Sequence, residues 1–479
     1  MTASLRGADP SGTQIVTDFR MDAVSRRASG QPGTRPGRWA LAVDLGTTTV
    51  AGALLPADSG LSDSEEGAPP LMLSGARLNG QLELGGPDVM SRIARAQGSP
   101  EMAAALSDAL RETVEQLVRE LLQQYGVDAR LVDRVALCGN TTMEYFFLGR
   151  DVSCLGMYPF EPPDHGPFEM DGLFPGLPGP VRQWLFPVPG GFIGGDIVAG
   201  LLALRNALEG RRVLFMDLGT NGEIVLWDRG KILAAGTAAG PAFEGARIAC
   251  GSPALRGAIE RVRISPVRLR CGVIGGGRAR SLCGSGLVDL CAGLLRLGGI
   301  TPDGRLRDPE DPLVQRVPVL RKRIYADVRR AEPAFTVAGR RGSGVWLGQR
   351  DVREFQLAVA AIRGGVRLLM DTAGVATGDL DQVIIAGGYG FHLDAESAAA
   401  VGLIPAGAPP DRVARPGNTA LAGAAMVAAD PRLAPRAKAL AESITVLNLA
   451  DHPAFTDTFV ESMHFPAPVS ARRSGWDCG

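Results

Sequence analysis

The chain has 479 residues, of which 45% are hydrophobic and 21% charged, with a formal net charge of −1. That balance excludes a largely disordered chain, and the near-neutral charge gives no reason to expect a nucleic-acid partner. At roughly 100–200 residues per domain, the length predicts two to four folding units.

Residues 1–38 are rich in Gly, Pro, Ser and Arg without a sustained period, which predicts a disordered tail. Segments 39–44 (WALAVD) and 49–55 (TVAGALL) read as strands around a Gly-Thr turn. The run 58–70 reads as a loop, and 103–124 carries apolar residues at helical spacing. A short buried strand is predicted at 134–138, ending at Gly139. The proline-rich stretch 159–189 reads as a long irregular connection, and 196–208 as a helix. Strands follow at 212–217 and 222–227, again around a Gly-Thr turn, then a helix at 351–370 and a strand at 382–386. The chain closes in a loose tail after about 466. Strands alternating with helices predict α/β layers.

One local pattern occurs twice. Asp44-Leu-Gly-Thr-Thr-Thr49 and Asp217-Leu-Gly-Thr-Asn-Gly-Glu223 each follow an apolar strand, 173 residues apart. A duplicated lobe on each side of a cleft explains that spacing. Glycine lets backbone approach a phosphate closely, and the following N–H and hydroxyl groups donate charge-assisted hydrogen bonds to its oxygens. The candidate phosphate-binding residues are Gly46, Thr47, Thr48 and Thr49 in the first copy. In the second they are Gly219, Thr220, Asn221, Gly222 and Glu223. A carboxylate cannot face phosphate alone, so Asp44 and Asp217 predict Mg2+ held through water between them and the oxygens. In Val383-Ile-Ile-Ala-Gly-Gly-Tyr-Gly390 a buried strand runs into bare backbone, where Gly387, Gly388 and Tyr389 would meet a ring or ribose. Asp196, behind Gly194-Gly195 at a helix start, reads either as an N-cap or as the group that orients a water. Glu244, in a glycine-flanked loop, would contact ribose, metal or partner, or is a solvated acid.

The seven cysteines are Cys138, Cys154, Cys250, Cys271, Cys283, Cys291 and Cys478, none at C-x-x-C spacing. That pattern disfavours a disulfide framework, a zinc ribbon or a ferredoxin cluster and predicts reduced thiols in a cytoplasm, with Cys283 a buried structural thiol. The four histidines are dispersed, so no His-based metal site is expected. No apolar run approaches the ~18 residues needed for a membrane span, and no secretory signal is visible.

With these motifs in hand, the sequence resembles the acetate kinase/sugar kinase/Hsp70/actin superfamily. Several further runs resemble the reductive activators of corrinoid proteins. They include Asn79-Gly-Gln-Leu-Glu-Leu-Gly-Gly-Pro-Asp-Val-Met-Ser-Arg-Ile93, Gly139-Asn-Thr-Thr-Met143, Gly194-Gly-Asp-Ile-Val-Ala199 and Ala239-Gly-Pro-Ala-Phe-Glu-Gly245. Cys283-Gly-Ser-Gly-Leu-Val-Asp289, Asp351-Val-Arg-Glu-Phe-Gln-Leu-Ala358, Gly417-Asn-Thr-Ala-Leu421 and Phe455…Phe465 complete the set, so the resemblance spans 39–465.

The resemblance implies an α/β, two-lobed actin-like (RNase H-like duplicated) ATPase fold. It divides the chain into a 1–38 tail, a 39–128 first RNase H-like segment, a 129–465 main ATPase domain with its second lobe from about 211, and a 466–479 tail. It also implies ATP and Mg2+ as cofactors, and slow ATP hydrolysis coupled to reduction of a Co(II) corrinoid bound to a methyltransferase system. The family passes the electron through an iron–sulfur domain. No ferredoxin-type cysteine set precedes Trp39 or follows Phe465, so no iron–sulfur cluster is expected in this chain and a separate ferredoxin is the expected donor. The expected partners are the corrinoid protein or methyltransferase, that ferredoxin and a second copy of the chain as a homodimer, with no nucleic acid and no membrane. Two alternatives stay open: a small-molecule kinase with Asp196 as base, and an ATP-gated regulatory module without redox coupling.

Overall fold

The computed structural model describes residues 37–57, 72–219, 221–328, 330–387, 392–408 and 410–467. The expected tails at 1–36 and 468–479, the loop at 58–70, and the site candidates Thr220, Gly388 and Tyr389 lie outside the described residues.

Two six-stranded sheets carry the architecture. In the first, β1 (Trp39–Leu45) pairs antiparallel with β2 (Thr49–Pro56), which pairs antiparallel with β3 (Leu73–Leu78). On its other side β1 runs parallel to β4 (Val132–Gly139). Next to β4 lies β6 (Pro180–Leu185), parallel to it, and β5 (Phe168–Leu173) closes the edge antiparallel to β6.

The second sheet repeats this plan. β7 (Arg212–Leu218), β8 (Gly222–Asp228) and β9 (Lys231–Thr237) form an antiparallel meander. The strand Gln382–Ala386 lies parallel to β7, and Val413–Gly417 lies parallel to it in turn. The order third–second–first–fourth, with a further parallel strand beside the fourth, thus occurs in both sheets, which places Asp44 and Asp217 at the same topological position.

Alternation along the first strand of each sheet decides what packs where, because successive strand residues face opposite sides. Leu41, Val43 and Leu45 enter a core with the long helix Pro100–Tyr125, which starts at the Ser99 cap and ends at Gly126 in the left-handed conformation. Ala40 and Ala42 face the opposite way, as do Val213 and Phe215 of β7. Between these two faces lie the helices Gly195–Ala203 and Thr419–Ala429. Small residues make that layer thin. A Cβ on Gly423 would collide with the Ala199 carbonyl, and one on Gly200 would press on the Thr419 hydroxyl. Leu214, Met216 and Leu218 enter the third core with the helices Gly284–Arg296 and Gln349–Ala373.

Three expectations need correction. The stretch 159–189 is not wholly irregular: β5 and β6 lie within it and add two strands to the first sheet. The helix expected at 196–208 is two, Gly195–Ala203 and Arg205–Leu208, divided at Leu204. The division expected at 128/129 falls inside the first sheet, since β4 pairs with β1 along its length. Backbone hydrogen bonds, and not sequence proximity, define that lobe.

Candidate functional site

The ends of β1 and β7 meet at a cleft of about 340 Å³ between the lobes. From the first hairpin Asp44, Gly46, Thr47, Thr48 and Thr49 line it; from the second, Asp217, Gly219, Asn221 and Glu223 do. Asp196, Glu244 and Gly387 complete the sequence-derived candidates that line it. Gly222 is the exception. It is buried behind the turn, where a Cβ would press on Thr237 and Ile362. Gly387 has φ +83°, and a Cβ there would collide with the Asp217 carboxylate, so glycine is needed twice over.

Residues outside the candidate set also line the cleft: Asn140, Asn418, Ser252, Cys283 and Ser285. The two asparagines follow a shared Gly-Asn-Thr pattern at 139–141 and 417–419. Each side-chain oxygen caps a helix, Asn140 accepting from the Met143 N–H at 3.0 Å and Asn418 from the Leu421 N–H at 2.8 Å. Each amide then reaches the first hairpin: Asn140 donates to the Thr47 hydroxyl at 2.9 Å and Asn418 to the Asp44 carboxylate at 2.6 Å. The signal for both was present in the repeated tripeptide.

Four helices start at this cleft: Thr141–Leu148, Gly195–Ala203, Gly284–Arg296 and Thr419–Ala429. Each N-terminus presents about half a positive charge and unpaired N–H groups, so their convergence favours an anion. No Lys or Arg lines the cleft among the described residues. The positive end of the site is made from backbone.

Carboxylates supply the opposite sign. Burial pushes Asp44 up to about 6, against the bond from Asn418 that pulls it down. Burial and then the Asp44 charge push Asp217 up to about 7. Asp196 is held well above the ordinary range by burial and then by Asp217 and Asp44, although its carboxylate accepts the Ile197 N–H at 2.8 Å. Glu223 sits directly across the ladder from Asp217, and burial together with the charges of Asp196 and Asp217 raises it. Beneath them Glu144 is fully buried, with one oxygen accepting the Gly139 N–H at 3.1 Å and the other unpaired. Such a set of under-compensated acids fits a divalent cation. Among the described residues no group of three or more His, Cys, Asp or Glu side chains converges as direct metal ligands.

Across the cleft the Thr48 hydroxyl of the first hairpin donates to the Glu244 carboxylate of a second-lobe loop at 2.7 Å. Cys283, by contrast, is a packed thiol, 3% exposed, bonded to the Ile259 carbonyl and raised chiefly by burial.

With this geometry described, comparison with known proteins identifies the family. Residues 211–472 match the C-terminal domain of RACo, the ASKHA domain. Residues 39–206 match the RACo middle region. The corrinoid activation enzyme RamQ of Eubacterium limosum is 33% identical over 437 residues, covering 89% of this chain and 70% of that protein. The Co(II) methylated amine-specific corrinoid protein reductase of Methanosarcina barkeri is 26% identical over 348 residues, 66% of this chain and 59% of that protein. The solved structure of a reductive activator for corrinoid, iron-sulfur protein superposes with a TM-score of 0.75 at 30% identity, over 91% of this chain and 67% of that one. These matches join at the break between the two sheets, and together they take in both hairpins. The chain belongs to the RACo family of reductive activators of corrinoid proteins and has the two-lobed, actin-like ASKHA fold.

Proposed function

We propose that this chain is an ATP-dependent activator of a corrinoid protein of a methyltransferase system, working in the cytoplasm. Its task is the one-electron reduction of inactive Co(II) corrinoid to Co(I), with the electron drawn from a separate ferredoxin. The observation that carries the nucleotide part is the pair of like hairpins, at equivalent positions of two sheets, facing across one cleft. The relatives acting on corrinoid proteins carry the rest.

In this reading the threonines and backbone N–H groups of both hairpins hold the triphosphate, and the adenosine lies against Gly387, Gly388 and Tyr389. Asp44 and Asp217 would hold Mg2+ through water, and the ion supplies neutralisation of phosphate charge. Asp196 orients the attacking water, its carboxylate held at the helix start by the Ile197 N–H. Glu223 and Glu244 bind the same shell of water and ribose. ATP arrival recruits Thr48 to phosphate and loosens its bond to Glu244, so the lobes change their relative position. Partner affinity that differs between the two positions does the coupling, and hydrolysis is slow because ATP acts chiefly as a shape switch. The working unit is a homodimer.

The test combines the protein, Mg-ATP, a low-potential ferredoxin and a Co(II) corrinoid protein, and follows the cobalt absorption. ATP-dependent loss of the Co(II) spectrum is expected. Rapid ATP turnover that depends on a small alcohol or carboxylate instead would identify a kinase.

A further inference from the structure

The run Asn79–Ile93 has no part in the mechanism above, yet it lies against the back of the first hairpin. Three consecutive carbonyls of that turn are held from this side. The Gly46 carbonyl accepts from the Asn79 side-chain amide at 3.0 Å, and the Thr48 carbonyl from the Asn79 backbone N–H at 2.9 Å. Between them the Thr47 carbonyl accepts from Arg92 Nη2 at 2.8 Å. Arg92 is fully buried, and its other nitrogens are fixed as well, Nη1 on Gln81 Oε1 at 2.7 Å and Nε on the Gly86 carbonyl at 3.2 Å. Gln81 is anchored in turn by donating to the Leu106 carbonyl at 2.9 Å.

A trans peptide is planar, with its C=O and the following N–H pointing in opposite directions. Holding the carbonyls of Gly46 and Thr47 behind the turn therefore turns the N–H groups of Thr47 and Thr48 toward the cleft. A guanidinium on the Thr47 carbonyl also polarises that peptide and strengthens its N–H as a donor. We propose that Asn79 and Arg92 are positioning residues of the nucleotide site, which fix the donors of the first hairpin for a phosphate group without touching it. The proposal deepens the ATP reading and rests on it.

The two ends of the nucleotide separate this role from a plain contribution to folding. Phosphate contacts depend on the turn; adenosine contacts depend on the strand end at Gly387, in the other lobe. Titration calorimetry with the full chain uses Mg-ATP and adenosine as probes, with thermal melts as the check on folding. In Arg92→Lys, which keeps the charge and loses the planar fork, and in Asn79→Ala, Mg-ATP affinity is expected to fall at least tenfold while adenosine affinity stays within twofold of wild type. Folded variants that bind Mg-ATP as wild type does, or that lose adenosine in the same proportion, overturn the positioning role. A wild-type chain that does not bind Mg-ATP overturns the ATP reading itself. If Arg92→Lys fails to fold, Asn79→Ala decides the matter alone.

Discussion

Replacing Asp217 with asparagine should stabilise the nucleotide-free protein at neutral pH and at the same time remove its hold on Mg-ATP. Burial and the neighbouring Asp44 raise the Asp217 carboxyl from 3.8 to about 7. A raised carboxyl favours the protonated folded state, so its contribution is whole below about 3.8 and is lost as pH rises through about 7. At 1.36 kcal/mol per pH unit the ionised group costs the apo fold up to about 4 kcal/mol at pH 8, an upper bound because the cleft admits water. The amide of the variant would carry no charge to penalise, so urea melts should show Asp217→Asn more stable than wild type by about 2–4 kcal/mol at pH 8, with the difference shrinking toward zero at pH 4. Calorimetry at pH 8 should show Mg-ATP affinity reduced at least tenfold, about 1.4 kcal/mol. A variant less stable than wild type at both pH values would mean that the carboxylate is held by favourable bonds, and the reasoning would be wrong.

Four other outcomes follow from particular contacts. Asn418→Ala should cost about 1 kcal/mol of stability as a lost N-cap and raise the Asp44 proton affinity, measurable by carbon-13 NMR titration of the carboxyl; an unmoved titration would rule out the Asn418–Asp44 bond. Gly423→Ala should destabilise by about 1–3 kcal/mol or more in denaturant melts, because its Cβ would strike the Ala199 carbonyl; a neutral result would show that the two central helices can separate freely. Cys283 should resist alkylation at pH 7.5 until the protein is unfolded, and fast labelling of the native chain would contradict its burial. Added Mg2+ should raise the melting temperature at pH 8 more than at pH 5, since the acids bind a cation only once ionised.

Both hairpins were legible in the sequence because each joins a buried apolar run to a Gly-Thr turn, and local chemistry alone makes that unit. The repeat of the unit carried the two-lobe expectation. What escaped was non-local. β5 and β6 sit in a proline-rich stretch; β6 pairs with β4, where Arg182 lies opposite Arg134 from far earlier in the chain, and β5 pairs in turn with β6. Asn140 and Asn418 read locally as helix caps. Their second role depends on amides that cross to Thr47 and Asp44, and only the shared Gly-Asn-Thr pattern hinted at it. The break at Leu204 and the continuity of the first sheet past 128 are likewise set by packing rather than by residue preference.

The central claim is that two hairpins distant in sequence hold one triphosphate between them. A crystal structure with Mg2+ and a non-hydrolysable ATP analogue tests it most directly. Phosphate oxygens should lie about 3 Å from donors of both 46–49 and 219–221, with the metal's waters on Asp44 and Asp217. A nucleotide bound to one hairpin alone, or outside the cleft, would contradict the account.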